Sequence, residues 1–264
     1  MRIENAAQAK ENEKIMAMIR DLLFQAADDE LTIGHRDSEW LGLCPDIEGD
    51  VAFSSIAQDE VGHAVFFFEL LHDLGEKDPD YLAFMRQGRE RHNAVLLERG
   101  NGDWAYSVVR HYFYDVFDDL RLQAMLDSRY LPLAQGAAKI RREEQYHLLH
   151  MHMWFTRLGK AGGEAGKRLE KAVADIWPDL GGLFCFGPYE QELVEQGVLA
   201  AGSGEIRQRW MNRMRTSFAE AGLSWPGEIP KPHLDGRYGQ HSEDLEELLS
   251  EMAEVYRLDP EAHW

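Results

Sequence analysis

The chain has 264 residues, of which 44% are hydrophobic and 11% aromatic, so it can bury a large core and is not a disordered protein. Its formal net charge of -19 argues against nucleic-acid binding and against docking on anionic membranes, because both rely on basic surfaces. No run approaches the roughly 18 apolar residues of a membrane span, and the start lacks a signal peptide, so we expect a cytoplasmic protein. Cys44 and Cys185 lack CxxC spacing, so any metal would be held by oxygen and nitrogen.

Helical periodicity dominates the chain, and no strand-like alternation lies between hairpin signals, so the predicted fold class is all-α. Four predicted helices are long enough to form a bundle. They cover residues 5–35, 47–74, 103 to the turn LDSRYLP, and 133–158. Shorter helices are expected at residues 78–89, 164–176, 189–199, 204–221 and 243–256.

The expected organisation is a single domain in two parts. Residues 1–160 should form the four-helix bundle, and residues 161–264 a helical extension packed on it. A loop is expected around Pro45, because the residue before a proline is pushed out of the helical region. The segment 224–241 is rich in proline and glycine, which predicts a long, mobile loop.

Three matches to Glu-x-x-His begin at Glu60, Glu69 and Glu144, although roughly one is expected by chance. Residues nine apart on a helix are rotated by about 900°, so Glu60 and Glu69 lie on opposite faces. Glu60 and His63 share their face with apolar residues, whereas Glu69 and His72 share theirs with polar ones. We therefore predict that the match at Glu69 is a surface pair and that the match at Glu60 is buried.

The same test places Glu144 and His147 on the apolar face of the fourth long helix. A carboxylate in a core is costly unless it is paired or bound to a metal. One such pair alone would be better explained as a buried hydrogen-bonded pair. Two pairs that point into the same bundle favour a metal centre instead.

The spacing of antiparallel helices predicts two further ligands. Residues at equal height on two such helices must lie about equally far from the turn between them. Counting back 30 residues from Glu60 gives Glu30, with the midpoint in the loop at Pro45, and Glu30 lies on an apolar stripe. Counting back 29 residues from Glu144 gives Asp115, with the midpoint in the turn LDSRYLP. Asp119 is a rival at a spacing of 25, which centres the turn less well.

The sequence thus contains an internal repeat, in which an acid is followed about thirty residues later by Glu-x-x-His. Four carboxylates and two histidines on four helices form the di-iron or di-manganese centre of ferritin-like bundles. Iron is our first choice and manganese the alternative, while the oxygen-rich set disfavours zinc. The predicted metal ligands are Glu30, Glu60, His63, Asp115, Glu144 and His147.

An acid precedes each motif glutamate, namely Asp59 before Glu60 and Glu143 before Glu144. Each could accept the Nδ1 proton of the histidine on the opposing helix, which pairs Asp59 with His147 and Glu143 with His63. The alternative is that both are ordinary acids on the helix surface. We keep Asp119 as a further residue of this outer layer.

Five segments carry a resemblance to a known family, the ferritin-like subunits of the bacterial phenylacetyl-CoA monooxygenase (epoxidase) complex. "AQDEVGHAVFFFELL" and "RREEQYH" look like motifs of its catalytic A subunit. "EWLGLCPDIEGDVAFSSIAQDEVGHA", "NGDWAYSVVRHYFYDVFDDLRLQAM" and "LSEMAEVYRLDPEAHW" look more like its C subunit. The resemblance spans about residues 25–264, and the metal pattern of the family falls on the same six residues that the spacing selects.

The resemblance implies a ferritin-like four-helix bundle with additional C-terminal helices, and a di-iron oxygenase component. Such a component would epoxidise the ring of an aryl-CoA thioester with dioxygen and a reductase, beside a homologous ferritin-like subunit in a homo- or hetero-oligomer. The C subunit of the family is usually a structural partner that has lost part of the ligand set, so a non-catalytic structural subunit is the alternative. Weaker alternatives are iron storage and a ribonucleotide reductase radical subunit. Candidates for an apolar substrate pocket, which core packing could equally explain, are Phe67, Tyr112, Phe113, Met151 and Trp154.

Overall fold

The computed structural model of the protein describes residues 2–262, so residue 1 and the last two residues of the predicted extension, 263–264, lie outside it. The described part contains no strand beyond an isolated bridge between Ile3 and Tyr130, which confirms the all-α prediction. No helix in this part is both long and apolar enough to cross a membrane. The α-helices are α1 (Ala6–Lys10), α2 (Glu13–Ser38), α3 (Ile47–Asp73), α4 (Pro79–Phe84), α5 (Val95–Glu98), α6 (Trp104–Met125), α7 (Leu131–Ala161), α8 (Gly163–Ile176), α9 (Glu190–Glu195), α10 (Ser203–Ala221) and α11 (Glu243–Met252).

Local signals set where the four long helices α2, α3, α6 and α7 begin. The Asn12 side chain accepts a hydrogen bond from the Ile15 amide at 3.1 Å and so caps α2. Asp46 caps α3 and Asp103 caps α6 in the same way. Pro132 lies in the first turn of α7, where its missing N–H costs nothing.

Four predicted helices differ from the structure by four residues or more, and two of these, 189–199 and 243–256, only end earlier than expected, at Glu195 and Met252. The helix expected at residues 5–35 is two helices, because Asn12 adopts an extended conformation and starts α2 afresh. The helix expected at 78–89 ends at Phe84 and is followed by a 3-10 turn at Gly88–Glu90. The chain leaves the helix there because Arg86 and Arg91 turn inwards and form ion pairs with buried Asp28.

Helices α2 and α3 approach each other closely beside the buried residue Glu60. A Cβ atom added at Gly34 of α2 would lie only 2.8 Å from the Cβ of Glu60 on α3. Glycine at this position therefore lets the two helices pack closely beside Glu60.

Two C-terminal helices share the core of the bundle, because α8 and α10 pack against α6 and α7, whereas the buried leucines of α11 form a small separate cluster. Trp210 of α10 is fully buried, and its indole N–H donates a hydrogen bond to the Phe113 carbonyl at 2.9 Å. The loop predicted at 224–241 is fastened to the bundle by Arg237, which is buried. The division of the chain near residue 160 stays a prediction.

Candidate metal centre

Three carboxylates and one imidazole meet in the middle of the bundle. Glu30 of α2, Glu60 and His63 of α3, and Glu144 of α7 are all buried. Each offers one donor atom within 4.8 Å of the donor atoms of the others. The Nδ1 atom of His63 lies 3.6 Å from Glu30 Oε2, 4.0 Å from Glu60 Oε2 and 3.4 Å from Glu144 Oε1. The structure thus brings these four predicted residues together.

The other two predicted residues adjoin this group. The Nδ1 atom of His147 lies 3.2 Å from Glu60 Oε1 and 3.0 Å from Glu144 Oε1. Asp115 of α6 is fully buried and forms a second group of donor atoms with Glu60 and His111. Glu60 and Glu144 therefore lie between the two histidines, with Glu30 towards one end and Asp115 towards the other.

Many polar atoms of this region are buried without a hydrogen-bond partner. Because a buried carboxylate oxygen or imidazole nitrogen is costly to leave unpaired, such atoms require an explanation. Their oxygen-rich set with imidazole nitrogen suits iron or manganese, so the residues present fit a pair of such ions. The unpartnered atoms are Glu30 Oε2, Glu60 Oε2, both carboxylate oxygens of Glu144, Asp115 Oδ2 and His63 Nδ1.

The two predicted acid and histidine pairs are in contact across α3 and α7. Glu143 Oε2 lies 3.0 Å from His63 Nε2, and Asp59 Oδ2 lies 3.2 Å from His147 Nε2. Each acid uses the Nε2 atom rather than the expected Nδ1, which leaves both Nδ1 atoms facing the carboxylates. This is the orientation in which an outer acid would fix an imidazole for metal binding.

The carboxylates hold both histidines in the charged form when no metal is bound. Burial alone would lower the pKa of His63, but its contacts with Glu144, Glu30 and Glu60 outweigh burial and raise the pKa to about 12. In the same way, Glu144 and Asp59 overcome burial and raise the pKa of His147 to about 11. Two imidazolium ions therefore compensate part of the negative charge of the four carboxylates.

The match at Glu69 lies on the surface, as predicted. Glu69 and His72 are exposed. The Nδ1 atom of His72 lies 3.2 Å from the backbone carbonyl oxygen of Glu76, within hydrogen-bond distance. This second motif therefore has no part in the buried cluster.

Asp119, the predicted rival and outer-layer residue, is directed elsewhere. Its carboxylate accepts hydrogen bonds from Arg141 at 2.7 Å, Arg213 at 2.6 Å and Gln123 at 2.9 Å. These partners fasten α6 to α7 and α10. We therefore leave Asp119 out of the proposed site.

Sequence reasoning missed four residues that contact the predicted ligands or their partners. His111 contacts Asp115, and Asp37 contacts His111. Tyr114 and Arg121 both donate hydrogen bonds to Glu30. His111 lies one helical turn before Asp115 on the same face, a spacing that could have pointed to it. No comparable signal marks the other three.

A groove of about 660 Å³ lies beside the site, between α3 and α7. Its lining combines apolar side chains, such as Ile56 and Leu149, with the polar side chains of Asp59, Glu143 and His147. Tyr146, Leu149 and Met153 of its lining are largely exposed, as is typical of protein contact surfaces. Of the side chains predicted to line a substrate pocket, none lines this groove, and all five are buried: Phe67, Tyr112, Phe113, Met151 and Trp154.

Among solved structures, the fold is similar to that of an R2-like ligand-binding oxidase, a point mutant with an aerobically reconstituted Mn/Fe cofactor. The TM-score is 0.51 at 17% sequence identity, and the match covers 80% of this chain and 82% of the oxidase. At this identity the likeness concerns the fold alone. It agrees with the predicted ferritin-like bundle.

The sequence is also similar to two subunits of one enzyme from Escherichia coli (strain K12). It is 32% identical to the C subunit of 1,2-phenylacetyl-CoA epoxidase over 238 residues, which cover 90% of this chain and 95% of that subunit. It is 23% identical to the A subunit of the same enzyme over 224 residues, which cover 82% of this chain and 71% of that subunit. The sequence profile described as "Phenylacetic acid catabolic protein" matches residues 1–264. The chain therefore belongs to the phenylacetic acid catabolic protein family.

Proposed function

We propose that this chain is the di-iron subunit of a multicomponent monooxygenase that epoxidises the ring of an aryl-CoA thioester, with phenylacetyl-CoA as the substrate. The observation that carries the proposal is the buried cluster of four carboxylates and two histidines, in which donor atoms without partners face one another. Membership of the family and similarity to two subunits of a phenylacetyl-CoA epoxidase support the choice of substrate.

In this proposal Glu30, Glu60, His63, Asp115, Glu144 and His147 would hold the two ions. Glu60 and Glu144 are central to the set, because each has oxygens near the Nδ1 atoms of both histidines. When bound, an iron pair would supply the reduction and activation of dioxygen, with electrons from a reductase. Manganese is the alternative metal.

The protein's own contribution is orientation and exclusion of water. Glu143 and Asp59 accept the Nε2 protons of His63 and His147, so that each Nδ1 atom is directed towards the carboxylates. The six proposed ligands are at most 3% exposed, so these side chains are shielded from bulk water. We also propose that the chain works in an oligomer with a homologous ferritin-like subunit.

Turnover of phenylacetyl-CoA would test the proposed function. The iron-loaded chain would be mixed with a reductase, its homologous subunit, dioxygen and phenylacetyl-CoA, and the products followed by mass spectrometry. We expect one oxygen atom to be added to the acyl-CoA, and we expect Glu144→Ala in this chain to abolish the reaction. Unchanged turnover with Glu144→Ala would contradict a catalytic role.

The second candidate is a structural subunit without chemistry of its own. The closer match to the C subunit over nearly its full length favours it. In that case the chain would be needed for turnover as a binding partner, and Glu144→Ala would leave turnover intact. The same assay therefore separates the two candidates.

Metal binding should depend steeply on pH. His63 and His147 are protonated at neutral pH in the metal-free protein, since their pKa values are raised to about 12 and about 11. Each must lose a proton to bind an ion, so affinity should rise with pH, by about tenfold per pH unit for each proton released. Titrations with Co²⁺ at pH 6, 7 and 8 would measure this, and an affinity independent of pH would contradict it.

A further inference from the structure

Glu30 uses its two carboxylate oxygens for different purposes. Oε1 accepts hydrogen bonds from the Tyr114 hydroxyl at 2.9 Å and from Arg121 Nη2 at 3.1 Å. Oε2 has no hydrogen-bond partner and lies 3.6 Å from His63 Nδ1. One oxygen is thus fastened to the protein, and the other faces the cluster.

Asp115 at the other end of the cluster is arranged in the same way. Its Oδ1 atom forms a short contact with His111 Nδ1, while Oδ2 has no partner. The other ring nitrogen of His111, Nε2, lies 2.7 Å from Asp37 Oδ2. His111 and Asp115 are fully buried, and Asp37 is 1% exposed.

A further acid backs the cation at each end. Arg121 forms ion pairs with Asp29, at 2.6 Å, and with Asp118, in addition to Glu30. Asp37 is the further acid behind His111, whose two ring nitrogens face the carboxylates of Asp115 and Asp37. Both ends therefore contain a proposed ligand, a buried basic residue and at least one further acid, although the basic residues are of different types and lie at different positions of α6.

We infer that His111 and Arg121 are positioning residues that hold Asp115 and Glu30 as ligands through one oxygen each. The inference rests on the proposed metal centre. To bind an ion through both oxygens, Asp115 or Glu30 would have to give up a charge-assisted hydrogen bond, which is among the stronger kinds. The ion-pair contacts of Glu144 are with His63 and His147, which are themselves proposed ligands, so no comparable outer partner holds it to one oxygen.

The direction of the effect on metal affinity separates positioning from simple charge balance. Removing a positive charge beside a cation site should, by electrostatics alone, strengthen the binding of a divalent ion. Loss of positioning should weaken it, because outer partners of metal ligands are typically worth about 10–100-fold in affinity. Variants that remove a cation, His111→Asn and Arg121→Met, therefore have opposite expected outcomes under the two explanations, whereas Asp37→Asn is expected to weaken binding under both.

The experiment is a Co²⁺ titration of the purified full-length chain, followed by calorimetry and by visible absorption. We expect His111→Asn, Asp37→Asn and Arg121→Met each to weaken one of two ions about 10–100-fold. The absorption of bound Co²⁺ should also change, because a carboxylate that binds through both oxygens alters the coordination number. His111→Asn and Asp37→Asn together should cost no more than the larger single effect, since both act through Asp115.

Two residues that do not touch the proposed ligands serve as controls, namely His150, which is partly buried, and Arg86, which is buried. His150 lies one turn beyond His147 and contacts Phe53, and Arg86 forms an ion pair with Asp28. His150→Asn and Arg86→Lys should keep the wild-type affinities and absorption. Circular dichroism of each metal-free variant would show that it is folded, and Asp37→Asn, which preserves side-chain volume, covers the case in which His111→Asn does not fold.

The outcomes are distinguishable. Wild-type affinity and absorption, or tighter binding, in folded His111→Asn and Asp37→Asn would overturn the inference and leave the proposed metal centre standing. Complete loss of one ion in His111→Asn but not in Asp37→Asn would also overturn it, because His111 would then be a ligand. Failure of the wild-type chain to bind two ions would overturn the proposed function and this inference with it.

Discussion

Replacement of Glu60 by alanine is expected to abolish binding of both metal ions. Glu60 lies between the two histidines, with Oε1 3.2 Å from His147 Nδ1 and Oε2 4.0 Å from His63 Nδ1. Removing Glu60 should therefore lower metal affinity by more than the roughly 10–100-fold that is typical when an outer partner of a ligand is removed. Metal content by elemental analysis, after loading and removal of excess ions, would measure the effect.

The metal-free Glu60→Ala variant should still fold. Burial, together with the charges of Glu144 and Glu30, raises the pKa of Glu60 well above its ordinary value, which shows that the charged form of this carboxyl is destabilised by its surroundings. Its removal relieves this repulsion in the metal-free protein. Glu69→Ala is the matched control, because it removes the same residue type from a Glu-x-x-His motif on the exposed face of the same helix. Equal loss of metal from both variants would refute the distinction between the two faces.

Replacement of Arg237 by alanine is expected to lower the free energy of unfolding strongly. The Arg237 guanidinium donates two hydrogen bonds of 2.8 Å to Asp29 and one of 2.6 Å to the His92 carbonyl. Removing one partner of a buried ion pair costs about 3–5 kcal/mol, and we expect the lower end because Arg121 still pairs with Asp29. This is a large fraction of the roughly 5–15 kcal/mol that stabilises a typical protein.

Urea unfolding of the metal-free protein would measure this loss. Arg168→Ala is the control, since Arg168 forms ion pairs with Glu164 and Asp103 on the surface, where such pairs contribute little. If both variants lost the same small amount of stability, the loop 224–241 would not be fastened through Arg237. A loss confined to Arg237→Ala would support the contact.

Local sequence signals predict where the helices next to the site begin. The side chains of Asp46 and Asp103 accept hydrogen bonds from the first turns of α3 and α6, and both helices begin within one residue of the predicted position. The midpoint rule then selected Glu30 and Asp115, because residues equally far from a turn lie at similar heights on antiparallel helices. The structure places both in the same buried region as the two histidine motifs.

Reasoning from helix faces does not predict the burial of Asp28 and Asp29 on α2, and the reason is physical. It assumes that one face of each helix is wet, whereas residues 25–34 of α2 are buried on all sides. Asp28 and Asp29 can be buried there because arginines far along the chain compensate them. Arg86 is 58 residues from Asp28, and Arg237 is 208 residues from Asp29. Periodicity within one helix carries no information about such distant partners.

The iron content of the wild-type chain tests the central claim most directly. The protein would be loaded with Fe²⁺ without oxygen, freed of excess iron, analysed for metal and then exposed to dioxygen under visible spectroscopy. A di-iron centre predicts about two irons per chain and new absorption that depends on oxygen. A chain that retains no iron, or that shows no oxygen-dependent absorption once loaded, would contradict the account.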